Sequence, residues 1–484
     1  MNWEAPRPAH SILDFDVNTR SALWEWVGQV IENYTTSVHE LPVAPQLDVG
    51  SVRGWVESFT FQEPVAPLAM LESLVPEWKS QQVHTAHPGY FGLFNPAPTQ
   101  MSIVADALVA AFNPQLAAWS HSPLAVEIER HLVRSIGNRI GFDIEEIDGT
   151  FATGGAEANL TALLVALQHR WPETAENGIR ALPGQPAFYV SSEGHHSFLK
   201  AARACGLGAT SLREVPVAPG LAMDVGSLRA LIRRDRVAGC HPFLLVATAG
   251  TTGAGAIDPL NELADVASKE KLRFHVDAAW GGAAALSPRL ADAVSGIEKA
   301  DSITFDAHKW LSVSMGAGIF ITRHKDVLSQ TFGTQTAYMP REGKGLPTTD
   351  PFTHSIQWSR RFIGLKAFLS LATVGWDGYA RVLEHQADMG VLLRQKLAEN
   401  GWRLVNETPL PVVCFNNAGR DFEIEICQKI VDAVIRSGHA WISTILLGQA
   451  KSPAIRACIT NFRTDPRHIE SLVDELSQAR AHVQ

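Results

Sequence analysis

Three things are scarce in this chain of 484 residues: paired cysteines, clustered positive charge and long apolar runs. The five cysteines (Cys205, Cys240, Cys414, Cys427, Cys458) are odd in number, widely scattered and without CxxC spacing. That argues against a disulfide framework and leads us to expect reduced thiols in a cytoplasmic protein. Lys and Arg total 41 against 50 Asp and Glu, for a formal net charge of −9, and no basic run offers a footprint for a phosphate backbone. Nucleic acid is therefore not expected as a partner. No segment reaches the ~18 uninterrupted apolar residues of a membrane span. The Met1–Pro8 stretch has no charged region followed by an apolar one, so no signal peptide is expected. What remains is an ordinary globular composition, 46% hydrophobic and 19% charged, in a chain long enough for two or three domains.

Pattern divides the chain into three zones. Residues 1–86 carry one helix, expected at Thr19–Tyr34, with Leu23, Trp26, Val27, Val30 and Ile31 on one face. Prolines 42, 45, 64, 67 and 76 then break the zone into short pieces. With apolar residues and no core of its own, it reads as a helical arm packing on a partner subunit. Residues 87–375 alternate short apolar runs with amphipathic stretches, the rhythm of a mainly parallel sheet covered by helices on both faces. Strands are expected at Ala187–Val190, Phe243–Ala247, Phe274–Val276, Ser302–Phe305 and Gly318–Ile321. Several end on polar residues (Ser191, Thr248, Asp277, Asp306), and ligands of open α/β sheets bind beyond the carboxyl ends of strands. Residues 376–484 read as a smaller α/β domain, with helices near Tyr379–Glu399 and Pro466–Ala481 and a strand at Leu410–Phe415.

The most specific segment is Thr304–Trp310, in which Lys309 directly follows a strand. A lone lysine there is usually a solvated surface residue. Its company changes the reading: Asp277 lies thirty-two residues upstream, also just past a strand, flanked by Val276, Ala278, Ala279 and Trp280. A carboxylate in such surroundings needs a cationic partner, because burying it alone is costly. A pyridinium nitrogen would serve, and a protonated ring can accept electrons from a substrate carbanion. Lysine would supply the amine that holds the ring's aldehyde and is displaced by substrate.

Phe151–Asn159 places Gly154 and Gly155 ahead of a helix expected at Ala158–Gln168. Glycines allow close backbone approach, and a helix N-terminus presents free N–H groups to an anion. Ser191–Ser197 contains His195 and His196, either of which could stack on a flat ring. In isolation each motif has a plainer reading, as an ordinary glycine turn or a pair of loop histidines. No metal site is expected: His195, His196, His275, Asp277 and His308 lack HExxH or HxH spacing, and Lys309 would set a cation beside the metal.

Together and in this order, these elements resemble the group II pyridoxal-5′-phosphate (PLP) dependent amino-acid decarboxylases, which include aromatic-L-amino-acid, glutamate, histidine and diaminobutyrate decarboxylases. The match runs from His87–Gly92, through Asn113–Leu116 and Trp119–Pro123, to Ala457–Thr464. The resemblance implies an α/β fold of the PLP-dependent transferase type I (aspartate-aminotransferase-like), with a large mainly parallel-sheet domain, a smaller C-terminal α/β domain and an N-terminal helical arm. It implies a homodimer with the active site at the subunit interface. By it, Lys309 binds PLP, Asp277 pairs with the ring nitrogen and His195 stacks on the ring. Gly155, Ala156 and His308 hold the phosphate, and Thr248 and Ala279 contact the ring. Tyr338, in a loop after the lysine, resembles a tyrosine that helps protonate the substrate Cα once CO2 has left. It could equally be an aromatic that only packs. Ala156 departs from the Ser or Thr of many relatives, and Asp306 from the Asn of some. A carboxylate beside a phosphate is unfavourable unless it points away, so Asp306 is not expected to be a phosphate ligand.

The implied reaction converts an L-amino acid to its amine and CO2. Leu93, Phe94, Gln115 and Trp358 match substrate-pocket positions and suit an aromatic or medium apolar side chain. No arginine is clearly placed for an acidic one. Two alternatives stay open: an aldehyde-forming oxidative decarboxylase or other PLP carbon–carbon lyase, and a non-catalytic binding protein on the same fold.

Overall fold

The computed structural model describes residues 13–334 and 348–483. Among them the strands form two sheets. The larger contains β1 (Asp148–Ala152), β2 (Pro186–Ser191), β3 (Leu212–Val215), β4 (His241–Thr248), β5 (Arg273–Asp277), β6 (Ser302–Asp306) and β7 (Gly318–Thr322), in the order β1-β7-β6-β5-β4-β2-β3. Strands β3, β2, β4, β5 and β6 run parallel, whereas β7 is antiparallel to both neighbours. The sheet is α/β, mixed at one edge. Phe243, Leu244, Leu245, Val246 and Ala247 of β4 are all buried, as expected of a strand covered on both faces.

The antiparallel β7 shapes the site. Gly318 pairs with Asp306 on one side and with Ala152 on the other. That brings the end of β1, and the glycines after it, against the end of β6. The expected helix at Ala158–Gln168 begins earlier, at Gly155, and runs to Arg170. Gly154 precedes it with extended backbone (φ 171°, ψ 177°). The turn is tight because β7 abuts it, and a Cβ on Gly318 would meet the Gly154 carbonyl carbon at 2.5 Å.

The smaller sheet is antiparallel, with β8 (Trp402–Leu404), β9 (Val412–Asn417), β10 (Ser443–Leu447) and β11 (Ser452–Cys458) in the order β10-β11-β9-β8. The strand expected from Leu410 starts two residues later. A long helix, Gly364–Glu399, lies between the two sheets in sequence and is broken at Gly375, whose φ of 70° is left-handed. Its first turn holds the chain after Lys309: Lys366 Nζ donates to the carbonyls of Ser314 (3.3 Å) and Met315 (2.8 Å). On the same stretch Ser312 takes a left-handed φ of 56°, uncommon for a side-chain-bearing residue, and its carbonyl accepts the Thr99 N–H at 2.7 Å.

The helices Val17–Ser37, Val49–Glu57 and Pro67–Ser80 contain no buried residue. Trp24, Val56, Phe61 and Trp78 are exposed on or between them. Among the described residues no helix is long and apolar enough to cross a membrane.

Gly318→Ala is expected to destabilise the protein by about 1–3 kcal/mol, the usual cost of forcing a methyl into packed backbone. Denaturant unfolding checks this, and an unchanged midpoint would show that the β7–Gly154 contact is slack.

Candidate active site

The carboxyl ends of β2, β4, β5 and β6 converge, and each contributes a polar residue at or just past its last position. Asp277 closes β5 and is buried. Its Oδ2 accepts from Asn159 Nδ2 at 2.8 Å and its Oδ1 from the Ala279 N–H at 3.2 Å. Among the described residues it makes no ion pair, since the lysine of this site pairs with Asp306 instead. Asn159 is itself fixed: Nδ2 also donates to Ser197 Oγ (2.9 Å), and Oδ1 accepts from Thr304 Oγ1 (2.7 Å). Behind it His275 is fully buried, with Nδ1 2.9 Å from Ser302 Oγ. Burial pushes its pKa from 6.5 down to about 4, so the ring is neutral near neutral pH. The Asp277 charge is thus held by hydrogen bonds from neutral groups, with no cation to quench it.

Thr248 ends β4 in register with Asp277. Its buried Oγ1 has no hydrogen-bond partner. His195 follows β2; its Nδ1 accepts the Ser197 N–H at 3.2 Å, so in the neutral ring the proton sits on Nε2. Burial lowers its pKa, and the nearby Asp277 charge opposes that shift. His308 Nδ1 likewise accepts a backbone N–H, from Ala317 at 3.1 Å, and burial lowers its pKa too. Lys309 Nζ lies 3.0 Å from Asp306 Oδ2 and 5.8 Å from the centre of the Phe94 ring. Ala279 and Gly155 face one another closely enough that a Cβ on Gly155 would come within 3.2 Å of the Ala279 Cβ. Ala156 is exposed in the first turn of the helix.

Asp306 does not point away. Its Oδ2 accepts the Gly155 N–H at 3.0 Å, at the entrance of the glycine turn.

Of the expected substrate residues, Phe94 joins the lysine. It stacks on Trp280 (centroids 4.5 Å apart), and Trp280 stacks on Trp310 (5.3 Å). Leu93 is next to it and exposed. Gln115 and Trp358 have other neighbours: Gln115 Nε2 donates to Ser359 Oγ at 3.1 Å, and Trp358 packs on Phe352. Tyr338 lies outside the described residues.

Two site residues escaped the sequence reading. One is Asn159, a polar residue on the inward side of the helix that follows the glycines. The other is Arg456, inside the apolar run Ala454–Ile459, which is itself the signal that could have exposed it. Arg456 is buried, 5.2 Å from the centre of the Phe94 ring. It donates to the carbonyls of Gly92 (2.7 Å), Thr252 and Gly253 (both 3.1 Å). Its buried Nη2 has no hydrogen-bond partner.

A ligand that is cationic where it meets Asp277, anionic at the glycine-lined helix entrance and reactive toward an amine suits these residues, although the Gly155 N–H and Lys309 are engaged by Asp306. PLP has all three features. The comparisons agree. Residues 66–418 match the pyridoxal-dependent decarboxylase conserved domain. The chain is 30% identical over 467 residues to an aromatic-L-amino-acid decarboxylase of Bacillus atrophaeus, covering 93% of this chain and 94% of that one. It is 32% identical over 343 residues to the cysteine sulfinic acid decarboxylase of Mus musculus, covering 69% and 68%. Among solved structures, Oryza sativa TDC with PLP and tryptamine superposes with a TM-score of 0.89 at 22% identity, covering 99% of each chain. At that identity the superposition speaks for the fold.

The neutral, buried His275 gives a pH test. Its folded pKa (about 4) is below its ordinary 6.5, so the unfolded chain binds more protons between these values. Its stabilising contribution is complete above about pH 6.5 and is lost as pH falls toward 4, by up to ~1.4 kcal/mol per pH unit. His275→Gln should flatten the fall in unfolding free energy over this window. An equally steep fall in the variant would mean that His275 is not its source.

Proposed function

The chain belongs to the pyridoxal-dependent decarboxylase family and uses PLP, and from that premise we propose that it converts an L-amino acid with an aromatic or medium apolar side chain to the amine and CO2. The observation that carries this reading is Asp277, a buried carboxylate held by neutral donors and, among the described residues, without an ion pair, in a site where the lysine pairs with a different carboxylate, Asp306. When bound, the cofactor supplies an electron sink for the pair released from the substrate Cα–carboxylate bond.

The chain's residues do the rest. Asp277 would pair with the ring nitrogen and hold its proton, and Asn159 and the Ala279 N–H aim Asp277. Lys309 holds the cofactor covalently through Nζ. Amide groups at Gly155 and Ala156, with His308, hold its phosphate. Thr248 and Ala279 would contact the ring and His195 would stack on it, its Nδ1 being engaged by the Ser197 N–H. Tyr338 is proposed, on the resemblance, to deliver the proton to Cα.

Side-chain preference rests on what lies around Lys309. Phe94, backed by Trp280 and Trp310, offers an apolar wall. An acidic side chain would need a cation with N–H groups to spare facing it. Lys309 is assigned to the cofactor, and Arg456 spends Nε and Nη1 on backbone carbonyls, so that its buried Nη2, beside the Phe94 ring, is the donor left near this wall among the described residues. It is the apolar wall that favours the chemistry named for the Bacillus relative over that named for the mouse one.

A homodimer is proposed on the exposed apolar faces of the N-terminal helices and a groove of about 350 Å³ among Trp26, Val30, Leu71, Val75 and Trp78. In this reading residues 1–86 are the arm, 87–375 the PLP-binding domain and 376–484 the small domain. Five free thiols suit a cytoplasmic setting.

Purified protein loaded with PLP should absorb in the visible range, and Lys309→Ala should lose that band and all turnover. With a panel of amino acids, stoichiometric amine and CO2 are expected, fastest with aromatic substrates. Aldehyde with ammonia and peroxide would contradict the proposed outcome. Turnover confined to acidic substrates would contradict the proposed specificity.

A further inference from the structure

Asp306 stands where the cofactor's own charges must go. Its side chain is 1% exposed at the end of β6. One oxygen, Oδ2, accepts both the Gly155 N–H and the Lys309 ammonium, each at 3.0 Å. The other, Oδ1, is buried with no hydrogen-bond partner among the described residues. His308 Nε2 is 3.8 Å from Oδ2. A Cβ at position 155 would meet Oδ2 at 2.8 Å, so the glycine leaves room for this carboxylate as well as for a phosphate.

A single carboxylate oxygen therefore engages an amide proposed for the cofactor's phosphate and the amine proposed for its aldehyde. A phosphate that takes the Gly155 N–H must displace Oδ2, and it then faces a buried carboxylate of like charge. An ammonium ion-paired to Asp306 must give up that pair and a proton before its nitrogen has a lone pair to attack a carbonyl. Both effects oppose loading, and neither would operate with an uncharged side chain of the same shape.

We infer that Asp306 is a competitor built into the cofactor site: its carboxylate holds Gly155 and Lys309 against the incoming phosphate and aldehyde, so that this chain binds PLP more weakly and exchanges it faster than the same site with a neutral residue at 306. The inference rests on the PLP reading above and concerns how the site fills, not which reaction it performs.

Binding to protein stripped of cofactor tests it, with three probes. Inorganic phosphate, followed by thermal shift, reports the Gly155 arm alone. Pyridoxal, followed by visible absorbance, reports the Lys309 arm alone. PLP reports both. Asp306→Asn is expected to lower the PLP dissociation constant about tenfold, the scale of one charge-assisted hydrogen bond. It should also slow PLP release and tighten the binding of phosphate. Asp306→Ser, also uncharged, is measured alongside, so that a folding defect in one variant leaves the other to decide. Equal or weaker PLP binding in the folded variants, with the wild type loading normally, would overturn the inference. Wild-type protein that takes up no PLP and shows no visible band would overturn the cofactor reading itself, and the missing band distinguishes that result from the first.

Discussion

A buried carboxylate that makes no ion pair among the described residues is the constraint around which this structure is organised. Asp277 sits at the end of a central strand, and ionising it there is costly unless donors replace the lost water. Asn159 and the Ala279 N–H are those donors. Asn159 can reach Asp277 only because the helix that carries it starts at Gly155, hard against β6 and β7. The glycine entrance, the antiparallel β7 and the carboxylate are thus parts of one arrangement. The neutral His275 and the Thr304 hydroxyl fix the other end of Asn159 without adding positive charge of their own.

Lys309 is placed by different means. Strand β6 ends three residues before it, and the chain beyond is held by Lys366, Thr99 and the left-handed Ser312. The stacked Phe94, Trp280 and Trp310 rings fix one wall. Arg456, from the smaller sheet, braces Phe94 and ties Gly92 to the Thr252–Gly253 turn. The two sheets therefore meet around Phe94, and the proposed substrate wall is rigid because both contribute to it.

Much of this was legible in the sequence. The strands of the parallel sheet are apolar runs ending on polar residues, and two of those residues, Thr248 and Asp277, lie side by side in register. Short edge strands such as β3 and the strands of the smaller sheet were less legible, because only a few residues of each carry a signal. The helix start at Gly155 was placed late, since glycine and alanine have no apolar periodicity to show. Asn159 and Arg456 were missed because their meaning lies in partners more than a hundred residues away. Asp306 was expected to avoid the phosphate entrance. Electrostatic repulsion from a phosphate was weighed there, but not the attraction of the Gly155 N–H and the Lys309 ammonium.

The most direct measurement removes the Asp277 charge at constant size. Asp277→Asn keeps one of the two accepting oxygens and gives up the other, so the fold and the covalent link at Lys309 should survive at some cost in stability, with a visible band present. Decarboxylation should fall by about 10³-fold or more, because a neutral amide cannot hold a proton on the ring nitrogen. A variant that keeps its band and turns over at the wild-type rate would contradict the role given to Asp277, and with it the reading of the site.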